Sequence, residues 1–292
     1  MAKAGLLFVG TDDGLVLFSN PNEIGRWLRI GQPFRGHALR AVWAQPDNPL
    51  TVLASAEGLG VQRSQDGGQS WEPLFGWAAA AIVGQPQAPG QVFALGDDAV
   101  FASRDAGASW EARSVGAAGL GALVAGPREL YVAAGAEVLH SEDAGESWAR
   151  LGGPLPAPVG GLALHPQTPG LLYAVSGARL YAFGPAEHDW QPLHGAPAAR
   201  GPLAALPGKQ PALLLAAAGG GVARSDDNGA SWSSVQAESM LDVLAPAGYH
   251  VDVAFAGGQA GQLLISSDRG RSWQVVKQDL PPIRSVAAAR LL

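Results

Sequence analysis

The sequence predicts an all-β chain folded as a seven-bladed β-propeller of four-stranded antiparallel blades. Three observations predict it: one short motif written five times, tryptophans that recur at a nearly constant interval, and a small-residue strand that recurs once per interval. The motif is Ser-x-Asp-x-Gly-x-x-Trp, found as SQDGGQSW from Ser64, SRDAGASW from Ser103, SEDAGESW from Ser141, SDDNGASW from Ser225 and SSDRGRSW from Ser266. Its tryptophans are Trp71, Trp110, Trp148, Trp232 and Trp273. Trp190 ends a worn copy, FGPAEHDW, midway through the one double-length gap, and Trp27 ends SNPNEIGRW, a frame longer by one residue. The seven tryptophans stand 38 to 44 residues apart, with a mean of 41, so seven units occupy nearly all of the 292 residues. The expectation is a single domain, residues 1–292.

Each unit reads as four short strands. Around Trp110 the order is QVFALG, a turn at Asp97-Asp98, AVFASR, the motif, then SWEARSV. Alternating apolar residues in runs of five to seven, punctuated by Gly, Asp and Pro, are strand and hairpin signals. A unit of about 40 residues with four strands is the size of a propeller blade. The small-residue strands, among them AAAAIVG, GLGALVAG, VGGLALH and IRSVAAAR, belong innermost, where Ala and Gly let blades crowd the axis. The last of these, Ile283 to Arg290, follows the final motif, while the first unit lacks an inner strand of its own. The simplest closure joins the C-terminal strand to the N-terminal three, one plus three, which leaves no open edge at the axis.

On these residues the chain resembles the Asp-box propeller superfamily, the bacterial neuraminidase (BNR) repeat, over its whole length. That superfamily includes sialidases, xyloglucanases, sortilin-type receptors and the photosystem II stability and assembly factors. The resemblance implies that the box sits on the turn between third and outer strands, at the periphery of one face and away from the axial mouth. Five identical catalytic sites around a rim make no mechanistic sense, so Asp66, Asp105, Asp143, Asp227 and Asp268 read as structural. The box glycine suits a positive φ, Asp and Ser can hold local backbone N–H groups, and each tryptophan should bury its ring between hairpin and neighbouring blade. The worn copy agrees, because it replaces the Asp with Pro185 yet keeps Trp190.

Composition narrows the function. Apolar residues make up 47% and charged residues 15%, which is globular rather than disordered. A net charge of −6 argues against general nucleic-acid binding, and zero cysteines exclude disulfides and thiolate metal sites. The six histidines show no zinc-ligand spacing, so neither cofactor nor metal is expected. The N-terminus has five apolar residues in a row, too few for a signal-peptide core, and no stretch approaches a membrane span. A cytoplasmic monomer is the expectation.

A glycosidase needs two carboxylates across a cleft, or a tyrosine nucleophile with an arginine triad for sialidases. LRIGQP and PPIRSV do not match the sialidase Arg-Ile-Pro motif, and three of the four tyrosines fall inside strands, leaving Tyr249 in a loop. Function should lie where the blades differ, in the loops that enter the inner strands and those joining second to third strands. These supply Arg40, Trp77, Asp98, Arg179, Arg200, Asp242 and Arg284 as candidate mouth residues, with Asp12, Asp13, Glu57, His37 and Glu238 nearby. Arg40, Asp242 and Arg284 stand out because their strands are otherwise small and apolar; Trp77 could stack on a sugar or a partner's side chain, but a buried wedge is favoured. The favoured reading is a non-catalytic binding or assembly propeller that takes a protein partner at the axial face. It resembles the photosystem assembly-factor group, single seven-bladed rings with an arginine patch. The alternative is a carbohydrate-binding protein or glycoside hydrolase of the xyloglucanase type, although those enzymes set two propellers across a cleft.

Overall fold

A computed structural model describes residues 4–21, 26–235 and 240–291. The described residues form 28 strands arranged as seven four-stranded antiparallel sheets. No helix among them is long and apolar enough to cross a membrane. Blade 1 is assembled from both ends of the chain. Its inner strand, Ile283–Leu291, pairs antiparallel with Ala4–Thr11, which is followed outward by Gly14–Pro21 and Leu28–Gly31. The one-plus-three closure therefore holds.

The remaining inner strands are Leu39–Ala44, Ala81–Gln85, Leu120–Ala125, Val159–Leu164, Ala199–Leu206 and Leu241–Pro246, which begin blades 2 to 7. Each inner strand abuts the next, and that of blade 1 abuts those of blades 7 and 2, so the ring is complete.

Burial explains one departure from the expected pattern. The second strands, such as Val52–Ala56, Leu130–Ala134 and Leu172–Ser176, are buried at every position instead of at every other one. Each blade is sandwiched between two others, so both faces of its middle strands are dry and the sequence reads as a continuous apolar run. The core accordingly divides into seven clusters, one per blade interface. Leu6, Phe8, Leu15 and Leu17 of blade 1 meet Leu39, Val42 and Val52 of blade 2, for example. Tyr131, Tyr173 and Tyr181 are buried in these strands and unavailable as nucleophiles.

The boxes form one repeated device. In each of the five, the Ser hydroxyl donates to the Asp side chain 2.8 Å away and accepts the N–H of the box Gly. The Asp also accepts the N–H and the hydroxyl of the Ser before the Trp, as Asp66 does from Ser70 at 2.9 and 2.6 Å. Two successive residues there have positive φ: Ala144 at 59° and Gly145 at 87° in blade 4, Arg269 at 65° and Gly270 at 81° in blade 7. The second must be glycine for a further reason, because a Cβ on Gly68 would lie 2.5 Å from Leu17 of the preceding blade. Gathered hydrogen bonds, led by those from the serine before the tryptophan, hold the carboxyls of Asp66, Asp143 and Asp227 down to about 2.

The box tryptophans pack at the interface with the preceding blade, as expected, but all five are half-buried instead of sealed in the core. Trp71, Trp110 and Trp232 donate their indole N–H to the carbonyl of their own box Gly, while those of Trp148 and Trp273 meet no acceptor among the described residues. The buried one is Trp190 of the worn box, whose indole N–H donates to Leu151 O of blade 4 at 3.0 Å. Asp189 adds a second link by accepting Gly153 N at 3.1 Å. In blade 5 cross-blade bonds thus replace the missing Asp network. Residues 22–25, half of the lengthened frame before Trp27, lie outside the described residues.

Candidate functional site

The two loop sets chosen from the sequence converge on one face. Arg284, at the start of the blade 1 inner strand, grips Asp12 of the second-to-third-strand turn with two hydrogen bonds of 2.6 and 2.7 Å. Arg40 makes the equivalent contact to Glu57 at 2.8 Å.

What aims these side chains is a β-bulge. In blade 2, Leu39 pairs with Ala56 and Ala41 with Ser55, which leaves Arg40 as an extra, unpaired residue. Gly160, Asp242 and Arg284 are extra residues in the same way in blades 5, 7 and 1. The inner strands of blades 4 and 6 also slip register here, between Leu120 and Leu123 and between Ala199 and Leu203. A bulge turns its extra residue out of the alternation and re-aims its side chain. With Ala80, which precedes the inner strand of blade 3, unbulged at this end, and donates its N–H to Leu95 O, these residues make a ring of seven positions around the mouth: Arg40, Ala80, Gly121, Gly160, Arg200, Asp242 and Arg284, six of them exposed and Asp242 partly so.

The ring is lopsided. Blades 6, 7, 1 and 2, which are consecutive, supply Arg200, Asp242, Arg284 and Arg40, while blades 3, 4 and 5 supply Ala80, Gly121 and Gly160. From Arg200 to Arg284 the contacts run as a chain of alternating sign that ends on Asp12. Arg200 lies 3.2 Å from Asp242, Asp242 lies 3.9 Å from Arg284, and Arg284 holds Asp12. That hydrogen bond from Arg284 keeps the Asp12 carboxyl below its usual range, against a smaller opposing effect of burial. The opposite arc carries almost no side chain and exposes bare backbone. Pairs this exposed are worth about 0–1 kcal/mol each, so the arc contributes little to stability.

The other candidates fall elsewhere. Asp98 lies exposed in the second-to-third-strand turn of blade 3 and Arg179, also exposed, opens the third strand of blade 5, both on the mouth face but off the ring. Trp77 is not a stacking platform. It is half-buried between blades 2 and 3, with ring centroids 4.2 Å from Phe75 and 4.1 Å from Phe101, so its aromatic surface is spent on protein contacts. Glu238 lies outside the described residues. Sequence reading missed Ala80, Gly121 and Gly160, which carry no chemistry and matter only by leaving space. Among the described residues no three His, Asp or Glu side chains gather where they could hold a metal ion. His165 is structural: Nδ1 accepts the N–H groups of Gln167 and Thr168, and Nε2 faces Asn228 Oδ1 in the blade 6 box at 3.1 Å.

Beneath the ring, seven apolar side chains, one per blade, form a waist: Val42, Ile82, Val124, Leu162, Leu203, Leu244 and Val286. They line two axial vestibules, one of about 400 Å³ under the charged ring and one of about 720 Å³ at the far end. The far end is the box face, since box backbone N–H groups bond the loops leaving the inner strands, Gly67 to Leu50 O and Arg269 to Asp252 O, both at 2.9 Å.

Known structures share this architecture. YCF48, in a structure described as bound to a D1 peptide, aligns with a TM-score of 0.62 at 19% identity over 81% of each chain. YCF48 from Cyanidioschyzon merolae aligns at 0.63 and 15% identity, over 86% of this chain and 88% of its own. What is shared is the fold. An ancestral GH74 enzyme also aligns at 0.63, with 16% identity over 92% of this chain but 52% of the enzyme, so the present chain spans about half of it. No family model and no curated protein sequence matches the chain.

Proposed function

We propose that the protein is a non-catalytic binding and assembly module that takes a polypeptide partner across its charged mouth, working as a monomer. One observation carries the reading: the ring sets a mixed-charge, mainly basic arc of Arg200, Asp242, Arg284 and Arg40 against an arc of bare backbone at Gly121 and Gly160. Peptides offer side chains of both signs together with backbone donors and acceptors, so both halves of such a ring find complements. The planar forks of the arginines suit a partner's carboxylates. Sugars are bound on aromatic platforms, and no ring position is aromatic. The structural likeness to YCF48, which has been seen with a peptide bound, points the same way.

Hydrolysis is less well served. Asp12, Glu57 and Asp242 are each engaged by an arginine, and Asp12 is held low, whereas a glycosidase general acid must be held high. The likeness to GH74 enzymes keeps that alternative worth assaying.

The test is a peptide panel of graded charge beside an oligosaccharide panel. Peptides are expected to be retained, and Arg40→Gln with Arg284→Gln should weaken retention about tenfold or more at nearly unchanged melting temperature. Oligosaccharides should be neither held nor cleaved. Cleavage that disappears on Asp242→Asn would replace this reading with the hydrolase.

A further inference from the structure

The box-face vestibule is the larger of the two axial cavities, at about 720 Å³, and plays no part in the reading above. Its size falls within the range of small-molecule sites, which are mostly apolar with a few convergent polar groups. Its walls are built that way. Aliphatic side chains and prolines dominate, and among the lining residues only Trp43, Tyr249 and Arg290 carry a hydrogen-bonding side chain. Arg290 is the only charged residue in that lining. It is half-buried and follows Ala288 by two positions on the inner strand of blade 1, so it faces the same side of the strand. Trp43 lies flat along the next blade: a Cβ on Gly84 would sit 2.7 Å from its indole nitrogen, so the glycine is what allows the ring to form part of the wall.

We propose that this vestibule binds a small organic monoanion, a carboxylate carried on an alkyl or aryl body. The body displaces water from the aliphatic walls above the waist, where burial of apolar surface is favourable. The carboxylate meets the Arg290 guanidinium, whose five donors can serve a ligand alongside any protein group they also reach. Low-dielectric walls strengthen that attraction and make the same cavity hostile to a cation. A neutral ligand of equal size gains the walls but not the charge. The order of preference is therefore anion, then neutral, then cation.

Calorimetric titration of the full chain with decanoate, decanol and decyltrimethylammonium tests this. Decanoate should bind saturably at one site, and decyltrimethylammonium at least about tenfold more weakly. Arg290→Gln should weaken decanoate about tenfold and leave decanol unchanged, whereas Arg104→Gln, which removes an exposed arginine of a box turn, should change neither. Ala288→Phe, which fills the cavity, should weaken decanoate and decanol together. Should that variant fail to fold, Ala205→Leu on the wall contributed by blade 6 makes the same test. The proposal is overturned if decanoate does not saturate, if the cation binds as well as the anion, or if binding survives Arg290→Gln and the cavity-filling change undiminished.

Discussion

Trp190→Ala should destabilise the protein about twice as much as Trp148→Ala, although Trp148 belongs to an intact box and Trp190 to a worn one. Trp190 is 8% exposed, lies 5.4 Å from Phe183 and shares a cluster with Leu155 and Tyr181. Removing a buried tryptophan costs about 3–5 kcal/mol, a range that includes some collapse of the cavity left behind. The lost bond to Leu151 O also leaves a carbonyl to find water. Trp148 is half-buried and its indole N–H meets no acceptor, so roughly half that cost, about 1.5–2.5 kcal/mol, is expected. At about 2–4 °C per kcal/mol for a chain of this size, Trp190→Ala lowers the melting temperature by about 6–20 °C and Trp148→Ala by about 3–10 °C. Calorimetry and denaturant midpoints, with equal slopes, measure both. Equal losses, or a larger one for Trp148, would refute the assignment of the tighter interface to blade 5.

Two further outcomes follow from the closure and from the boxes. Deleting residues 283–292 removes the strand paired to Ala4–Thr11 along with the fully buried Ile283, and should give aggregation or a large fall in melting temperature; a truncated chain that stays monomeric and melts unchanged would contradict the closure. Acid stability should fall in two stages. His165 is pushed below its usual value of 6.5, first by burial, so the stability of its neutral form is present above that pH and fades as pH falls toward the lowered value. The box carboxyls, held at about 2 against an ordinary 3.8, contribute stability that is complete above about pH 4 and lost as pH falls through 2. Melting temperature followed from pH 7 to pH 2 should show both, and Asp143→Asn should flatten the lower limb; an identical profile for that variant would mean the box carboxylate contributes nothing.

Much of the architecture was legible because it is repetitive. Tryptophan spacing counts the blades, and Ile283 to Arg290 standing after the last box reveals the closure. Detail was lost wherever one residue's role depends on a neighbouring blade. The box tryptophans look alike in sequence, but how deeply each is buried depends on what the preceding blade offers, so the worn box holds the most buried ring. The positive φ at Ala106, Ala144 and Arg269 left no compositional trace, since only the following glycine advertises a left-handed turn. Trp77, favoured from the sequence as a buried wedge, is one, but its partner Phe101 on the adjacent blade could not be named from the sequence.

The mouth was half legible for a related reason. A charge in an apolar strand is conspicuous, which is how Arg40, Asp242 and Arg284 were found. The bulge that turns each of them outward is a property of pairing register, and register involves the partner strand. Once six of the seven inner strands share that slip, the ring becomes an address list: the same backbone position in each of those six blades, free to carry any side chain because it stands outside the regular pairing. Stability is then decoupled from specificity. The boxes and interfaces hold the ring whatever the bulge residues are, and glycine at Gly121 and Gly160 is as much a choice of surface as arginine at Arg40 and Arg284. Exchanging Gly160 for Arg should therefore alter what the mouth accepts while leaving the melting temperature within a few degrees, because its extra side chain enters open space at the axis and breaks no paired contact. If the melting temperature instead collapses, the bulge position is part of the packed structure and the separation of roles fails.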